Sequence, residues 1–276
     1  MWGRLKLRAL AALSRLTRGV VGTHVRALIV ATPHGVFAVD PADQGVGRRL
    51  RRDGAYAEQE LAGLSALLRP TDRLLIVGAH LGALAVPLAR QCQAVMALEP
   101  NPDTFELLKW NLSLNAVSNC RTLQVAANDS GGTLRFLKSA ANSGGSKRLP
   151  KVADWRYHFD APVEVSVPAA RLDDLLAGES FDVVLMDIEG SEYFALKGMP
   201  GLLAHCRHLV VEFLPHHMSL VAGVTVPEFL ATIPPRFVRL SVPSTGQQVG
   251  RDDFNAVLSD MMRQGQCDDG IIFSAE

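Results

Sequence analysis

Leu74-Leu75-Ile76-Val77-Gly78-Ala79-His80-Leu81-Gly82 takes a short apolar run directly into a loop bounded by two glycines. This order predicts a buried strand, a tight turn and the start of a helix, the unit that holds a ligand in a parallel α/β sheet. Glycine suits the turn because a side chain there would keep a bound molecule away from the backbone. Twenty-one residues after Gly78, at the end of the next apolar run, stands Glu99. An acid at that separation can accept hydrogen bonds from both hydroxyls of a ribose, which points to a nucleoside. The spacing Gly-x-x-x-Gly is not the Gly-x-Gly-x-x-Gly that brings a backbone against a pyrophosphate. S-adenosylmethionine, a nucleoside without phosphates, therefore fits the loop better than a dinucleotide does.

Outward from this unit, short apolar runs alternate with longer amphipathic ones, the pattern of strands joined by helices. Strands are expected over 73–77, 94–98, 121–125, 181–186 and 208–213, and helices over 81–91, 102–114, 171–176 and 191–204. Pro102 suits a first helical turn, where its missing N–H would have no partner. Residues 271–273 offer a last strand. The polar stretch 138–162 interrupts the rhythm and reads as a loop insertion, a common place for binding specificity. Upstream, 27–30 and 36–39 flank Thr32-Pro33-His34-Gly35 as a hairpin, and 45–69 reads as a helix ended by Arg69-Pro70. The expected division is 1–69 as an N-terminal extension and 70–276 as the main domain.

The 276 residues are 48% hydrophobic, with 28 basic and 28 acidic side chains, so a sizeable core is available and no broad field attracts nucleic acid. Four dispersed cysteines give no disulfide or zinc pattern and suit a reducing, cytoplasmic setting. Charge is uneven only at the start: Arg4, Lys6, Arg8, Arg15, Arg18 and Arg26 precede the first acid, Asp40, among leucines at near-helical spacing. A helix docked on its own domain is the first expectation for this segment. Peripheral membrane or partner contact through residues 1–26 is the second.

A second polar group follows the fourth strand, in Asp187-Ile188-Glu189-Gly190-Ser191-Glu192. Ligands of open α/β sheets lie beyond the carboxyl ends of strands, which places Asp187 and Glu189 near the reactive end of a cofactor. The same acids also suit the start of the following helix.

Taken together, the 78–82 loop, Leu98-Glu99-Pro100-Asn101-Pro102, Trp110-Asn111-Leu112-Ser113-Leu114-Asn115, Ala126-Ala127-Asn128-Asp129, Leu172-Asp173-Asp174-Leu175-Leu176, the 186–192 segment and Val210-Val211-Glu212 resemble the FkbM-type S-adenosylmethionine-dependent methyltransferases. These pieces span about 74–213. The resemblance implies a Rossmann-like class I methyltransferase fold, with a mostly parallel central sheet flanked by helices and a helical and hairpin N-terminal extension. It further implies methyl transfer to a hydroxyl of a sugar or secondary metabolite, a small-molecule or glycan acceptor. The cofactor residues carried over are Gly78, Ala79, His80, Gly82, Glu99 and Pro100, with Asn128 or Asp129 for the adenine edge and Asp187 near the methyl group.

For catalysis, Asp187 or Glu189 is the expected base, with His216 in reserve, and no metal is assigned. An alternative gathers Asp187, Glu189, Glu212 and His216 around a divalent cation. The family carries an acid where Ile76 stands and Asn where His80 stands, and these departures support the rival reading of a catalytically degenerate binding module.

Overall fold

A computed structural model describes residues 2–275. Helix α1 (Trp2–Val21) precedes a hairpin of β1 (Leu28–Thr32) and β2 (Gly35–Val39), then helices α2 (Val46–Asp53) and α3 (Glu58–Leu67). Next come β3 (Arg73–Val77), α4 (Ala85–Ala89), β4 (Ala94–Leu98), α5 (Pro102–Leu114) and β5 (Cys120–Leu123). Strands β6 (Ala126–Ala127), β7 (Gly132–Lys138), β8 (Lys147–Arg148) and β9 (Val163–Ala170) form a separate sheet in the order β6-β9-β7-β8. The chain then returns to the main sheet with β10 (Val183–Met186), β11 (His208–Phe213), β12 (Arg239–Val242), β13 (Gln247–Gly250) and β14 (Asp268–Ser274).

The main sheet runs β13-β12-β14-β11-β10-β3-β4-β5. Its five strands from β11 to β5 are parallel, and β14, β12 and β13 are antiparallel at one edge. This is the Rossmann-like class I methyltransferase arrangement. Successive strand side chains face opposite ways, so one strand feeds two cores. Leu75 and Val77 join Val184, Met186, Leu209 and Phe273 on one face, while Leu74 and Ile76 join Leu185, Leu88 and Leu108 on the other. Strand order reverses between β3 and β10, which opens a crevice at their carboxyl ends.

The N-terminal extension packs into the second of these cores through Phe37, Ala38, Val39, Leu50, Leu61 and Leu64. Fully buried Asn111 of α5 holds it in place: its Oδ1 accepts the Ala38 N–H at 2.6 Å, and its Nδ2 donates to the carbonyls of Ala38 at 3.1 Å and Leu81 at 2.8 Å. Asn101 caps α5 by accepting the Asp103 N–H, and Pro102 occupies the first turn as expected.

Several boundaries differ from expectation for local reasons. The helix read over 45–69 is two helices, because Gly54 (φ +65°) and Ala57 (φ +53°) adopt left-handed backbone between them. The helix read over 81–91 shortens to α4, since Gly82 at φ +89° keeps the preceding residues in a loop. The stretch 191–204 breaks at Gly198 and Pro200 into Glu192–Lys197 and Pro200–Leu203. The insertion 138–162 is not a plain loop: it carries β8 and two short 3₁₀ turns, and it connects two long antiparallel strands, β7 and β9. Among the described residues, no helix is long and apolar enough to cross a membrane.

Candidate active site

A cavity of about 1040 Å³ lies beyond the carboxyl ends of β3, β4 and β10. Its floor is Ile76, Val77, Gly78, Ala79, His80, Glu99 and Pro100, and Asp187 and Glu189 stand on the adjoining wall. The insertion closes one side through Asn142, Ser143, Ser146 and Lys147, and α1 contributes Lys6, Leu7 and Leu10 at the rim.

Backbone approach explains the glycines. A Cβ on Gly78, which sits at φ +94°, would come within 1.8 Å of the Asp187 carbonyl oxygen, so the ends of β3 and β10 could not meet as they do. A Cβ on Gly82 would lie 2.8 Å from Leu108 Cδ1. His80 also has left-handed backbone, at φ +51°. Asn and His are among the non-glycine residues enriched in that region, so His in place of the family's Asn keeps the turn. Its ring leaves the loop, with Nε2 2.8 Å from Ser143 Oγ, and burial lowers its pKa.

The Glu99 carboxylate is buried. It accepts the N–H groups of His80 and Asn101, both at 2.9 Å, and the Thr104 hydroxyl at 3.0 Å. Burial pushes its pKa up to about 7 against those hydrogen bonds. The bonds engage both carboxylate oxygens and hold Glu99 against the turn while it still lines the cavity, and Oε2, which accepts only one of them, keeps a lone pair that suits a ribose hydroxyl.

Beyond Glu99 the lining is acidic. Burial, then Glu189, Glu60, Glu192 and Asp269, hold the Asp187 carboxyl well above the usual carboxylate range. Burial and Asp269 raise Glu60 to about 7. Glu60 Oε1 and Glu212 Oε2 are buried and have no hydrogen-bond partner among the described residues. Such a wall favours a bound group that brings positive charge, and a sulfonium with its α-ammonium fits that requirement. The residues present thus fit S-adenosylmethionine: a glycine cradle, a ribose acceptor and acids with no counter-ion of their own. Ile76, 2% exposed and among the core side chains, adds no charge of its own.

Glu189 has different company. Buried Lys147 lies 3.0 Å from its Oε2, and His217 Nδ1 is 3.2 Å away without the alignment of a hydrogen bond. Lys147 Nζ also approaches His217 Nε2 at 3.3 Å. Burial, Lys147 and His216 push the His217 pKa down, so its imidazole is neutral. One ligand atom each from Glu189, Glu212 and His217 lie within 4.8 Å of one another, a geometry that could take a metal ion. The Lys147 ammonium already supplies positive charge to Glu189. Glu192, outside this lining, is structural: its Oε1 accepts the N–H groups of Ile188 at 3.0 Å and Gly190 at 3.2 Å, fixing the loop after β10.

The structure thus brings Gly78, Ala79, His80, Glu99, Pro100, Asp187, Glu189 and His216 to one cavity. His216 stacks on Tyr157, and burial with Arg156 and Lys147 lowers its pKa to about 4. Gly82 stands behind the loop, packed on α5. Asn128 and Asp129 are elsewhere: Asn128 Nδ2 donates to Ser130, and Asp129 pairs with Lys197 at 3.2 Å. Their neighbours Val125, Ala126 and Ala127 line the cavity instead. Sequence reading missed Tyr56, Glu60, Lys147 and Asp269. Lys147 alone had a local cue, as part of the basic Lys147-Arg148 pair in the insertion.

The chain is similar to known methyltransferases. Residues 77–234 match the methyltransferase FkbM domain. Methyltransferase sdnD of Sordaria araneosa is 29% identical over 159 residues, covering 47% of this chain and 61% of that protein. Hexuronic acid methyltransferase AglP of Haloferax volcanii is 30% identical over 144 residues, 51% of this chain and 55% of its own. 2-O-methyltransferase NoeI of Sinorhizobium fredii is 28% identical over 166 residues, 54% of this chain and 66% of its own. The matches therefore span between about half and two thirds of these relatives. Among solved structures, a precorrin 8W decarboxylase from Methanobacterium thermoautotrophicum covers 89% of this chain and 99% of its own at 11% identity, with a TM-score of 0.45. Since the matched domain takes in more than half of the 276 residues and contains the glycine turn, Glu99 and the acids after β10, the chain belongs to the FkbM methyltransferase family, whose cofactor is S-adenosylmethionine.

Proposed function

We propose that the protein transfers a methyl group to a hydroxyl of a sugar or secondary-metabolite acceptor. The observation that carries this reading is the continuity of the cavity, which runs from the Gly78 turn and Glu99 past Asp187 to the polar side chains of the insertion. One end suits the cofactor. The other, lined by Ser139, Asn142, Ser143, Ser146 and Arg156, offers hydrogen bonds of the kind a hydroxylated acceptor needs. The names of two relatives, a hexuronic acid methyltransferase and a 2-O-methyltransferase, support the same class.

S-adenosylmethionine, when bound, supplies an electrophilic methyl group. The chain's own residues hold both partners in line, and much of the acceleration of a displacement comes from such positioning. Asp187 takes the acceptor's hydroxyl proton. Its raised pKa brings its basicity nearer to neutral pH, where proton transfer is most effective. Glu189, bound to Lys147, orients that side of the cavity, and His216, with a pKa of about 4, is a weaker base at neutral pH. The test is to incubate the enzyme with methyl-labelled S-adenosylmethionine and a panel of uronic acids, glycosides and hydroxylated polyketides, then locate the label by NMR. An O-methyl product is expected; methyl on nitrogen or carbon would refute the reading.

A further inference from the structure

Helix α1 has two apolar faces, and only one of them is used. With about 3.6 residues per turn, Leu7, Ala11 and Ser14 fall on the side that meets the domain. Ala11 and Ser14 are buried, and the Ser14 hydroxyl donates to the Ala140 carbonyl at 3.2 Å. Leu5, Leu13, Leu16 and Val20 fall on the opposite side and are 72%, 39%, 63% and 78% exposed. An outward row of four large aliphatic side chains on a helix already docked by its other face is not needed for folding.

The charges beside that row indicate what covers it. Arg4, Arg8 and Arg15 flank it on one edge and Lys6 on the other, and α1 contains no acidic residue. Arg8 and Arg15 have no ion-pair partner among the described residues, whereas Arg18 is committed to Asp40 at 3.0 Å. Aliphatic side chains bordered by unpaired cations match the boundary between the acyl chains and headgroups of an anionic bilayer. A protein partner would more often call for a polar rim of mixed sign.

We propose that the outer face of α1 seats the protein on anionic lipid membranes. Leu5, Leu13, Leu16 and Val20 enter the interface, and Lys6, Arg8 and Arg15 meet lipid phosphates or carboxylates. Lys6, Leu7 and Leu10 of the same helix line the rim of the cavity. Seating therefore holds the cavity mouth close to the bilayer surface. The proposal rests on α1 alone and does not depend on the reaction.

Co-sedimentation of the full chain with vesicles tests it, comparing phosphatidylcholine with a roughly 7:3 mixture of phosphatidylcholine and phosphatidylglycerol. Binding is expected to the mixture and not to phosphatidylcholine alone. Arg8→Glu/Arg15→Glu should weaken it at least about tenfold, and Leu5→Asp/Leu16→Asp should abolish it. All four positions are exposed, so both variants should keep the wild-type melting temperature and S-adenosylmethionine affinity, which separates lost seating from lost fold. Wild-type protein that stays in the supernatant, binds both vesicles equally, or keeps its binding after Leu5→Asp/Leu16→Asp would overturn the proposal. So would a dimer that this double variant converts to monomer in the absence of vesicle binding, because a second copy would then be the occupant.

Discussion

At the residue scale, Asp187 carries the proposed proton transfer and Gly78 the backbone geometry around it. Asp187 sits where Gly78 permits close contact between β3 and β10, and burial, then Glu189, Glu60, Glu192 and Asp269, raise its pKa. Replacement by Asn keeps size and shape while removing the proposed base. Turnover should fall by about 10²- to 10⁴-fold, well beyond any loss of S-adenosylmethionine affinity, as read from steady-state kinetics beside calorimetry. The sign of the pH dependence follows from the shift. Asp187 is protonated and inactive at low pH, so kcat/KM should rise with pH along a limb displaced above the usual carboxylate range, and a limb at about pH 4 would contradict the assignment. Gly78→Ala tests the scaffold rather than the chemistry. A methyl group 1.8 Å from the Asp187 carbonyl, on a residue at φ +94°, should cost more than about 2 kcal/mol of stability and eliminate cofactor binding, measured by denaturant titration and calorimetry.

At the element scale, the parallel core was legible because β3, β4, β10 and β11 are continuous apolar runs that face a core on both sides. β7 and β9 were not. They are largely exposed, with only Phe136, Leu137, Val167 and Ala169 buried on a smaller sheet, and Pro168 within β9 weakens a strand reading. The cofactor turn was readable from spacing, since glycines and Glu99 are constrained by backbone geometry. Glu60 and Asp269 were not, because they reach the cavity from α3 and β14 only after the chain has folded. His80 illustrates the middle case: the sequence marks it as a departure, and only its left-handed backbone reveals it as a conservative one. Asn111 is the contact that joins the N-terminal hairpin to the cofactor loop. Asn111→Ala would leave two groups of Ala38 and the Leu81 carbonyl unpaired in the interior, at a cost of roughly 3–5 kcal/mol, seen as a lower denaturation midpoint. A change below about 0.5 kcal/mol would mean the hairpin is held by apolar packing and the two Asn115–Val36 hydrogen bonds instead.

At the scale of the whole molecule, acids that folding has stripped of water gather in the cavity and directly behind its wall. Glu60, Glu99 and Glu192 each have folded pKa values near 7, above an ordinary value of 4.5. The folded state therefore binds more protons than the unfolded state between those limits. The ligand-free protein should be most stable below about pH 4.5 with respect to these groups and lose that contribution as pH rises through about 7. A cationic ligand reverses the trend. The rise in melting temperature given by S-adenosylmethionine should exceed that given by S-adenosylhomocysteine, and the gap should widen with pH as the acids ionise. A gap independent of pH would remove the acidic wall from cofactor recognition. Because Lys147 neutralises Glu189, turnover should survive a chelator; loss in chelator that magnesium or manganese restores would instead place an ion among Glu189, Glu212 and His217.

The Gly78 turn and Glu99 are proposed to hold S-adenosylmethionine in this cavity. Titration calorimetry of wild type and Glu99→Gln tests it most directly. One S-adenosylmethionine per chain is expected for wild type, with affinity at least about tenfold weaker for the variant, which gives up about 1.4 kcal/mol with one ribose acceptor. No binding to wild type, or equal binding to both proteins, would contradict it.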